Sequence, residues 1–184
     1  MIDLTLALED LLKSPPSCGN THVIAIDGPA GAGKTTLAHE LFLSLSLHHK
    51  VEIIHLDEMY AGWDMALTET LTISLSQVLE TIALGNPATY PIYNWAWDQF
   101  DSDRQIFPCG VLIIEGVGSA QKLVREFTTA VIWLDIAPQI GLSRVLHRDG
   151  IQIEDQMKRW QKRESEHFRV NSTRENADFI LSTV

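Results

Sequence analysis

A single glycine-rich segment constrains the fold of this chain more than any other feature. Residues 28–35 read Gly-Pro-Ala-Gly-Ala-Gly-Lys-Thr and match the pattern G-x-x-x-x-G-K-[ST] at every position. An apolar run at residues 22–26 precedes the segment as a predicted strand, and Leu37, Leu41 and Leu45 follow it at helical spacing. A strand, a glycine loop and a helix in this order direct backbone N–H groups and the positive end of the helix dipole to one point. The segment therefore predicts a loop that binds polyphosphate.

Each residue type in this phosphate loop has an expected task. The glycines let the backbone bend around an anion where a Cβ would obstruct it. Lys34 is expected to contact the β- and γ-phosphates as a catalytic cation, and the hydroxyl of Thr35 is expected to bind Mg²⁺. The predicted nucleotide-binding residues are Gly28, Pro29, Ala30, Gly31, Ala32, Gly33, Lys34, Thr35 and Thr36.

Short apolar segments alternate with helical periods along the rest of the chain. The predicted strands lie at residues 22–26, 51–56, 111–114, 130–134 and 179–181. Continuous apolar strands separated by helices indicate a parallel sheet covered on both faces. We therefore predict an α/β fold of three layers, the P-loop NTPase fold, as a single domain over residues 1–184. Within this domain we expect a leading helix at 1–17, an acceptor-side region at 58–107 that is irregular from residue 90 onward, and a lid region at 144–168.

Composition restricts the partners that this chain can have. A formal net charge of −10 over 184 residues argues against nucleic-acid binding, which needs a basic face. The sequence has no apolar run approaching the roughly 20 residues of a membrane helix, and its acidic N-terminal segment lacks the basic start of a secretory signal. We therefore expect a cytoplasmic protein without a membrane partner, whose oligomeric state stays open. Residues 144–174 have a positive charge balance, unlike the chain as a whole, because they contain eight basic and five acidic side chains. This bias predicts a segment that covers the site and faces phosphate.

Further segments extend the pattern beyond the phosphate loop. They read His-Leu-Asp-Glu-Met-Tyr-Ala-Gly-Trp at 55–63, Tyr-Pro-Ile-Tyr-Asn-Trp at 90–95, Leu-Ile-Ile-Glu-Gly at 112–116, Arg-Val-Leu-His-Arg-Asp-Gly at 144–150 and Ala-Asp-Phe-Ile-Leu at 177–181. In their order and spacing they resemble the uridine kinase-like family of nucleoside and nucleotide kinases. The resemblance implies a five-stranded parallel sheet with helices on both faces, and ATP and Mg²⁺ as cofactors. The guanine-reading motif N-K-x-D is absent from the sequence, which disfavours a GTP switch.

Two acidic residues follow predicted strands at the edge where parallel sheets collect their ligands. Asp57 is predicted to position and deprotonate the acceptor hydroxyl, and a role as a helix N-cap or a turn residue is its alternative. Glu115 is expected to hold Mg²⁺ through water or to contact the substrate, and pairing with Lys34 in the empty site is its alternative.

Aromatic side chains mark the acceptor side. Flat rings in loops suit a ring-bearing substrate, although a hydrophobic cluster beneath a long loop is the alternative for each of them. The predicted substrate-binding residues are Asp57, Tyr60, Trp63, Tyr93, Trp95 and Glu115.

Two arginines of the lid region are four residues apart and therefore share a helical face. In the resembling kinases, such arginines belong to the lid that closes over the transferred phosphoryl group. Arg148 and Arg144 are therefore predicted to be catalytic, with Arg148 the stronger candidate. The alternative is that both stabilise the dipole at the C-terminal end of their helix.

These features predict an ATP-dependent kinase that transfers the γ-phosphoryl group of MgATP to a nucleoside-like or other small hydroxyl acceptor. Arg104 is the only basic residue between Asp57 and Phe107, which favours a neutral acceptor. Two alternatives stay open. One is a nucleoside monophosphate kinase similar to cytidylate kinase, and the other is an ATP-binding regulatory NTPase module.

Overall fold

The computed structural model describes residues 4–183. The strands are β1 (His22–Asp27), β2 (Val51–His55), β3 (Ala88–Asn94), β4 (Gln99–Ile106), β5 (Val111–Glu115), β6 (Ala130–Asp135) and β7 (Phe179–Ser182). The helices are α1 (Leu4–Leu11), α2 (Lys34–Leu45), α3 (Gly62–Met65), α4 (Glu69–Ala83), α5 (Pro138–Asp149) and α6 (Glu154–Asn171). Of the helices in this described range, none has the length and apolar content that a membrane crossing requires.

Five strands form one parallel sheet in the order β2-β5-β1-β6-β7, which confirms the predicted architecture. The register aligns the carboxyl ends of the three strands that matter for the site. Glu115 of β5 lies opposite His55 of β2 on one side and Ile26 of β1 on the other. Side chains at these ends are therefore neighbours although they are far apart in the sequence.

Helices cover both faces of the sheet because successive side chains of a strand point in opposite directions. Val111 and Ile113 of β5 pack into the core on the side of α1 and α2. Leu112 and Ile114, which alternate with them, pack into the core on the side of α4 and α6. All four side chains are fully buried, so the strand reads as a continuous apolar run rather than an alternating one.

The segment expected to be irregular from residue 90 onward is instead an antiparallel hairpin of β3 and β4. The prediction was wrong because β4 has almost no apolar side: only Ile106 of this strand is buried. Arg104 of β4 anchors the hairpin to the sheet, since its guanidinium donates to Glu58 at 3.1 Å and to the Ile53 carbonyl at 2.9 Å.

The leading helix is shorter than the predicted range of residues 1–17. Helix α1 ends at Leu11, and residues 1–3 lie outside the described part of the chain. Lys13 and Ser14 form turn-type hydrogen bonds to the carbonyls of Asp10 and Leu11. The helix stops before the prolines because a residue that precedes proline avoids helical backbone angles.

A buried carboxylate joins two loops at the carboxyl edge of the sheet. Asp27 has no exposed surface, and its oxygens accept hydrogen bonds from the backbone N–H groups of Gly28 at 2.8 Å, Gly118 at 3.0 Å and Ala120 at 2.9 Å. Burial raises the pKa of Asp27 in spite of these donors. The contact ties the phosphate loop after β1 to the loop after β5.

We expect Asp27→Ala to lower the free energy of unfolding by about 3 kcal/mol or more, because each buried N–H group that loses its acceptor costs roughly 1–3 kcal/mol. Urea denaturation of the full chain measures this loss. The matched control is Glu80→Ala on the exposed face of α4, which we expect to stay within about 0.5 kcal/mol of the unmodified chain. A loss for Asp27→Ala no larger than that of the control would contradict the bridging role.

Candidate active site

A cleft of about 550 Å³ opens at the carboxyl edge of the sheet. It is lined by the phosphate loop and the start of α2, by residues of α5 and α6, and by residues of the acceptor-side region. Most of the predicted site residues meet here. Those that line the cleft are Ala30, Gly31, Gly33, Lys34, Thr35, Thr36, Asp57, Tyr60, Trp63, Trp95, Glu115, Arg144 and Arg148.

The phosphate loop is shaped to surround an anion. Helix α2 begins at Lys34, directly after Gly33, whose φ of 91° lies in the left-handed region. A Cβ at Gly33 would meet no atom within 4 Å, so space is open beside this residue. The first turn of α2 therefore directs unpaired N–H groups and the positive end of the helix dipole into the cleft. This arrangement fits the triphosphate of a nucleotide.

Three residues of the predicted loop do not line the cleft and instead support the residues that do. Gly28 and Ala32 are buried, and Pro29 offers its carbonyl to the lysine. The Nζ of Lys34 donates to the carbonyls of Gly28 at 2.7 Å and Pro29 at 2.9 Å. The ammonium is therefore held on the loop, within the region where the β- and γ-phosphates would lie.

The oxygen atoms of Thr35 and Glu115 form a suitable pair for Mg²⁺, which prefers oxygen ligands. The Thr35 hydroxyl donates to Oε1 of Glu115 at 3.1 Å, and the carboxylate is almost fully buried. The alternative, an ion pair between Glu115 and Lys34, is not present among the described residues. The Glu115 carboxylate is instead hydrogen-bonded to Thr35 and His55. These residues would hold the ion, which would supply positive charge that neutralises the phosphates of the nucleotide.

His55 is a site residue that the sequence reasoning missed. Its Nδ1 lies 2.6 Å from Oε1 of Glu115, because the register of β2 and β5 places the two side chains opposite each other. The hydrogen bond to Glu115 raises the pKa of His55, and partial burial works against this rise. A signal was available in the sequence, since His55 ends its strand just as Glu115 ends its own.

Asp57 lies in the short 3₁₀ turn Leu56–Glu58 and faces the cleft. The N-cap of this turn is His55 and not Asp57, whereas the alternative of a turn residue agrees with the backbone position of Asp57. Among residues 4–183, no donor makes a hydrogen bond to the Asp57 carboxylate. Asp57 keeps an exposed surface in the open cleft, and partial desolvation together with the charge of Glu115 raises its pKa.

Three of the predicted aromatic residues line the cleft beside Asp57. The indole N–H of Trp95 donates to the backbone carbonyl of Asp57 at 2.9 Å and thereby ties the hairpin to the turn that carries Asp57. Trp63 packs edge-on against Trp95 with ring centroids 5.4 Å apart. Tyr60 is deeper, and its hydroxyl donates to the Val117 carbonyl at 2.8 Å. The wall therefore presents rings rather than hydroxyl groups.

Tyr93 lies outside the main cleft. Its hydroxyl donates to the Asp98 carboxylate, and the residue lines a neighbouring cavity of about 340 Å³. Arg163 of α6 reaches the same cavity, pairs with Asp64 at 2.7 Å and donates to the Trp63 carbonyl at 2.7 Å. Helix α6 thus contributes charged groups to the acceptor side, which the sequence reasoning did not foresee.

Arg144 and Arg148 of α5 both line the cleft opposite Asp57. The guanidinium of Arg144 donates to the Gly31 carbonyl at 3.3 Å. Arg148 is exposed and donates twice to Asp149, each bond 2.7 Å long, and this partner raises the pKa of Arg148. Both arginines are therefore at the edge of the phosphate site, and Arg148 is on the solvent side of it.

A second residue that sequence reasoning missed is Glu164 of α6. Its carboxylate accepts a hydrogen bond from the backbone N–H of Ala30 at 3.0 Å. The only signal in the sequence is its spacing of four residues from Trp160, which places both on one face of α6.

Comparisons with known proteins agree with this geometry. Residues 72–184 match the phosphoribulokinase / uridine kinase family, and this span is more than half of the chain. The uridine kinase of Mycoplasma genitalium is 27% identical over 179 residues, covering 86% of this chain and 84% of that protein. The uridine kinase of Schizosaccharomyces pombe is 27% identical over 150 residues, which cover 73% of this chain but 33% of that longer protein.

Two solved structures have the same fold. A possible uridine kinase from Bacillus stearothermophilus superposes with a TM-score of 0.66 at 21% identity, covering 95% of this chain and 99% of that one. A putative fructose transport system kinase from Silicibacter sp. TM1040 gives a TM-score of 0.64 at 18% identity, covering 98% and 97%. At these identities the likeness concerns the fold.

The contact between His55 and Glu115 predicts a titration that NMR can follow. In the intact chain, we expect the pKa of His55 to lie above the ordinary value of about 6.5, and in Glu115→Gln to fall below the value in the intact chain. The ion pair then stabilises the fold fully below about pH 6.5 and loses its effect as the pH rises through the higher folded pKa. An unchanged His55 titration in Glu115→Gln would contradict the assigned contact.

Proposed function

The chain belongs to the phosphoribulokinase / uridine kinase family of ATP-dependent kinases, and from that premise we propose that it transfers the γ-phosphoryl group of MgATP to a hydroxyl group of a small, uncharged acceptor. One observation carries this proposal: the carboxylate of Asp57, which accepts no hydrogen bond from the described residues, lines the same cleft as the phosphate loop. A base and a polyphosphate site on opposite sides of one cavity are what an in-line transfer requires.

In the proposed reaction, an oxygen of the acceptor hydroxyl attacks the γ-phosphorus atom. The bond from that phosphorus to the β,γ-bridging oxygen breaks, and ADP leaves with the electron pair. The proton of the hydroxyl passes to Asp57. The raised pKa of Asp57 suits this task, because a carboxylate that binds a proton more tightly is a stronger base.

The other charges of the cleft are placed to stabilise the transferred group. Lys34 would contact the β- and γ-phosphates from its position on the loop. Arg144 and Arg148 of α5 would contact the equatorial oxygens of the transferred phosphoryl group. A guanidinium spreads its charge over several oxygens and is fixed before the reaction, so it favours the transition state.

The charge balance of the acceptor side supports an uncharged acceptor. Arg104 is engaged by Glu58, which also accepts a hydrogen bond from Tyr90. In the neighbouring cavity, the charges of two arginines are matched by those of Asp64 and Asp98. A phosphate on the acceptor would therefore meet little net positive charge beyond the nucleotide site.

The aromatic wall narrows the acceptor class further. Trp63 and Trp95 present indole rings to the cleft beside Asp57, and flat rings favour a ring-bearing molecule. The relatives from Mycoplasma genitalium and Schizosaccharomyces pombe are uridine kinases. Together these observations support a nucleoside-like acceptor for this chain.

A coupled assay of ADP release tests the proposed function. The full chain is supplied with MgATP and with single members of a panel of nucleosides, nucleoside monophosphates and vitamin precursors. We expect one neutral member of the panel to stimulate ADP release strongly above the background hydrolysis of ATP. Stimulation by nucleoside monophosphates alone would replace this proposal with a nucleotide kinase, and slow hydrolysis that responds to no compound would favour the regulatory NTPase.

We expect Asp57→Asn to lower kcat with the identified acceptor by about 100-fold or more, because a positioned general base contributes roughly 10²–10⁴-fold. The Kd of MgATP, measured by calorimetry, should stay within about twofold, since the hydrogen bonds that hold Lys34 on the phosphate loop go to Gly28 and Pro29 and not to Asp57. Asp103→Asn on the exposed face of β4 is the matched control and should turn over normally. Near-normal turnover of Asp57→Asn would remove Asp57 from the mechanism.

A further inference from the structure

Glu164 is a buried acid that the proposed reaction does not use. The residue is 3% exposed, and its Oε2 accepts hydrogen bonds from the Ala30 N–H at 3.0 Å and the Trp160 indole at 2.8 Å. Burial disfavours the charged carboxylate and raises the pKa of Glu164 to about 7. Burying this carboxylate has a free-energy cost, and its two hydrogen bonds join two parts of the site.

These contacts form a continuous path from the acceptor side to the phosphate loop. The ring of Trp160 packs against Tyr60 at 5.5 Å and against Trp63 at 5.9 Å, both on the acceptor wall. One turn further along α6, Glu164 receives the Trp160 indole N–H and the backbone N–H of Ala30, the third residue of the loop. The acceptor wall and the nucleotide site are thus joined by side chains that touch.

The charged and titratable groups that face Glu164 come from several elements. Lys34 of α2 lowers the pKa of Glu164, and the carboxylate of Asp27 at the end of β1 raises it. The phenol of Tyr60 lies close enough to feel the charge of Glu164, and Arg144 of α5 reaches the next carbonyl of the loop. A bound triphosphate would bring several negative charges to this group and would engage Lys34, and both changes disfavour the ionised form of Glu164.

We infer that Glu164 is a positioning residue that holds the phosphate loop against α6, and that it takes up a proton when nucleotide binds. This inference rests on the proposed function, because it assumes that the loop binds MgATP. Proton uptake means that the affinity for MgATP rises as the pH falls through neutrality, since the protonated form is the one that the bound phosphates favour.

Calorimetric titration of the full chain with MgATP at pH 7, in buffers of different ionisation enthalpy, tests the inference. The slope of the measured enthalpy against the buffer enthalpy gives the number of protons taken up. We expect the unmodified chain to take up as much as about half a proton more than Glu164→Gln, because a group with a pKa of about 7 is half protonated at pH 7 before nucleotide binds. The Glu164→Gln slope also supplies the baseline for protons that the nucleotide itself exchanges.

Two variants separate positioning from proton uptake. Glu164→Ala removes the acceptor of the Ala30 N–H and should weaken MgATP binding by about tenfold, whereas Glu164→Gln keeps an acceptor oxygen and should restore most of that affinity. Glu166→Gln, an exposed acid two residues along that pairs with Arg169, is the matched control and should keep the proton uptake of the unmodified chain.

The outcomes distinguish this inference from the proposed function. If the unmodified chain and Glu164→Gln take up equal numbers of protons, or if Glu164→Ala binds MgATP as tightly as the unmodified chain, the role of Glu164 is overturned while the kinase assignment stands. If the unmodified chain shows no binding heat with MgATP in any buffer, the proposed function fails, and the role of Glu164 fails with it.

Discussion

The phosphate loop must curve around an anion while two neighbouring elements press against its outside. A Cβ at Gly28 would lie 2.4 Å from the Leu134 carbonyl of β6, and one at Gly31 would lie 2.3 Å from the Gly141 carbonyl of α5. Both glycines also have positive φ values, 139° and 81°, which side chains resist. Because nothing projects from these positions, α5 packs directly on the loop. The arginines of α5 reach the cleft as a consequence of this contact.

The three carboxylates at the carboxyl edge of the sheet differ in their hydrogen-bond partners. Asp27 is surrounded by backbone N–H groups and serves the structure. Glu115 is held by Thr35 and His55, which fixes its oxygens beside the predicted metal position. Asp57 alone of these three lacks a hydrogen-bond donor within residues 4–183, and it is the one that faces the acceptor side of the cleft. Hydrogen bonding thus distinguishes the structural carboxylate from the two for which we propose metal-binding and base roles.

Helix α6 gives the two halves of the cleft a common support. Arg163 contacts the backbone beside Trp63 on the acceptor side, while Glu164, its neighbour in the sequence, contacts the phosphate loop. Adjacent residues of a helix point about 100° apart, so one short stretch can reach both places. A movement of this helix would therefore displace the acceptor wall and the nucleotide site together. Such coupling suits an enzyme that must bring two substrates into contact.

The sequence by itself determined the phosphate loop, the five parallel strands and the positions of Asp57 and Glu115, because these follow from local pattern: a glycine spacing, apolar runs and an acid at the end of a strand. Only the tertiary structure decided which distant groups became partners. Strand β4 was missed because its side chains are almost all polar, although its partner β3 is the neighbouring strand. The pairing of His55 with Glu115 and the contact of Glu164 with Ala30 join segments that are dozens of residues apart, so no local pattern predicts the partner. Hydrogen bonding and the desolvation of charges depend on the distance between atoms, and folding alone sets that distance.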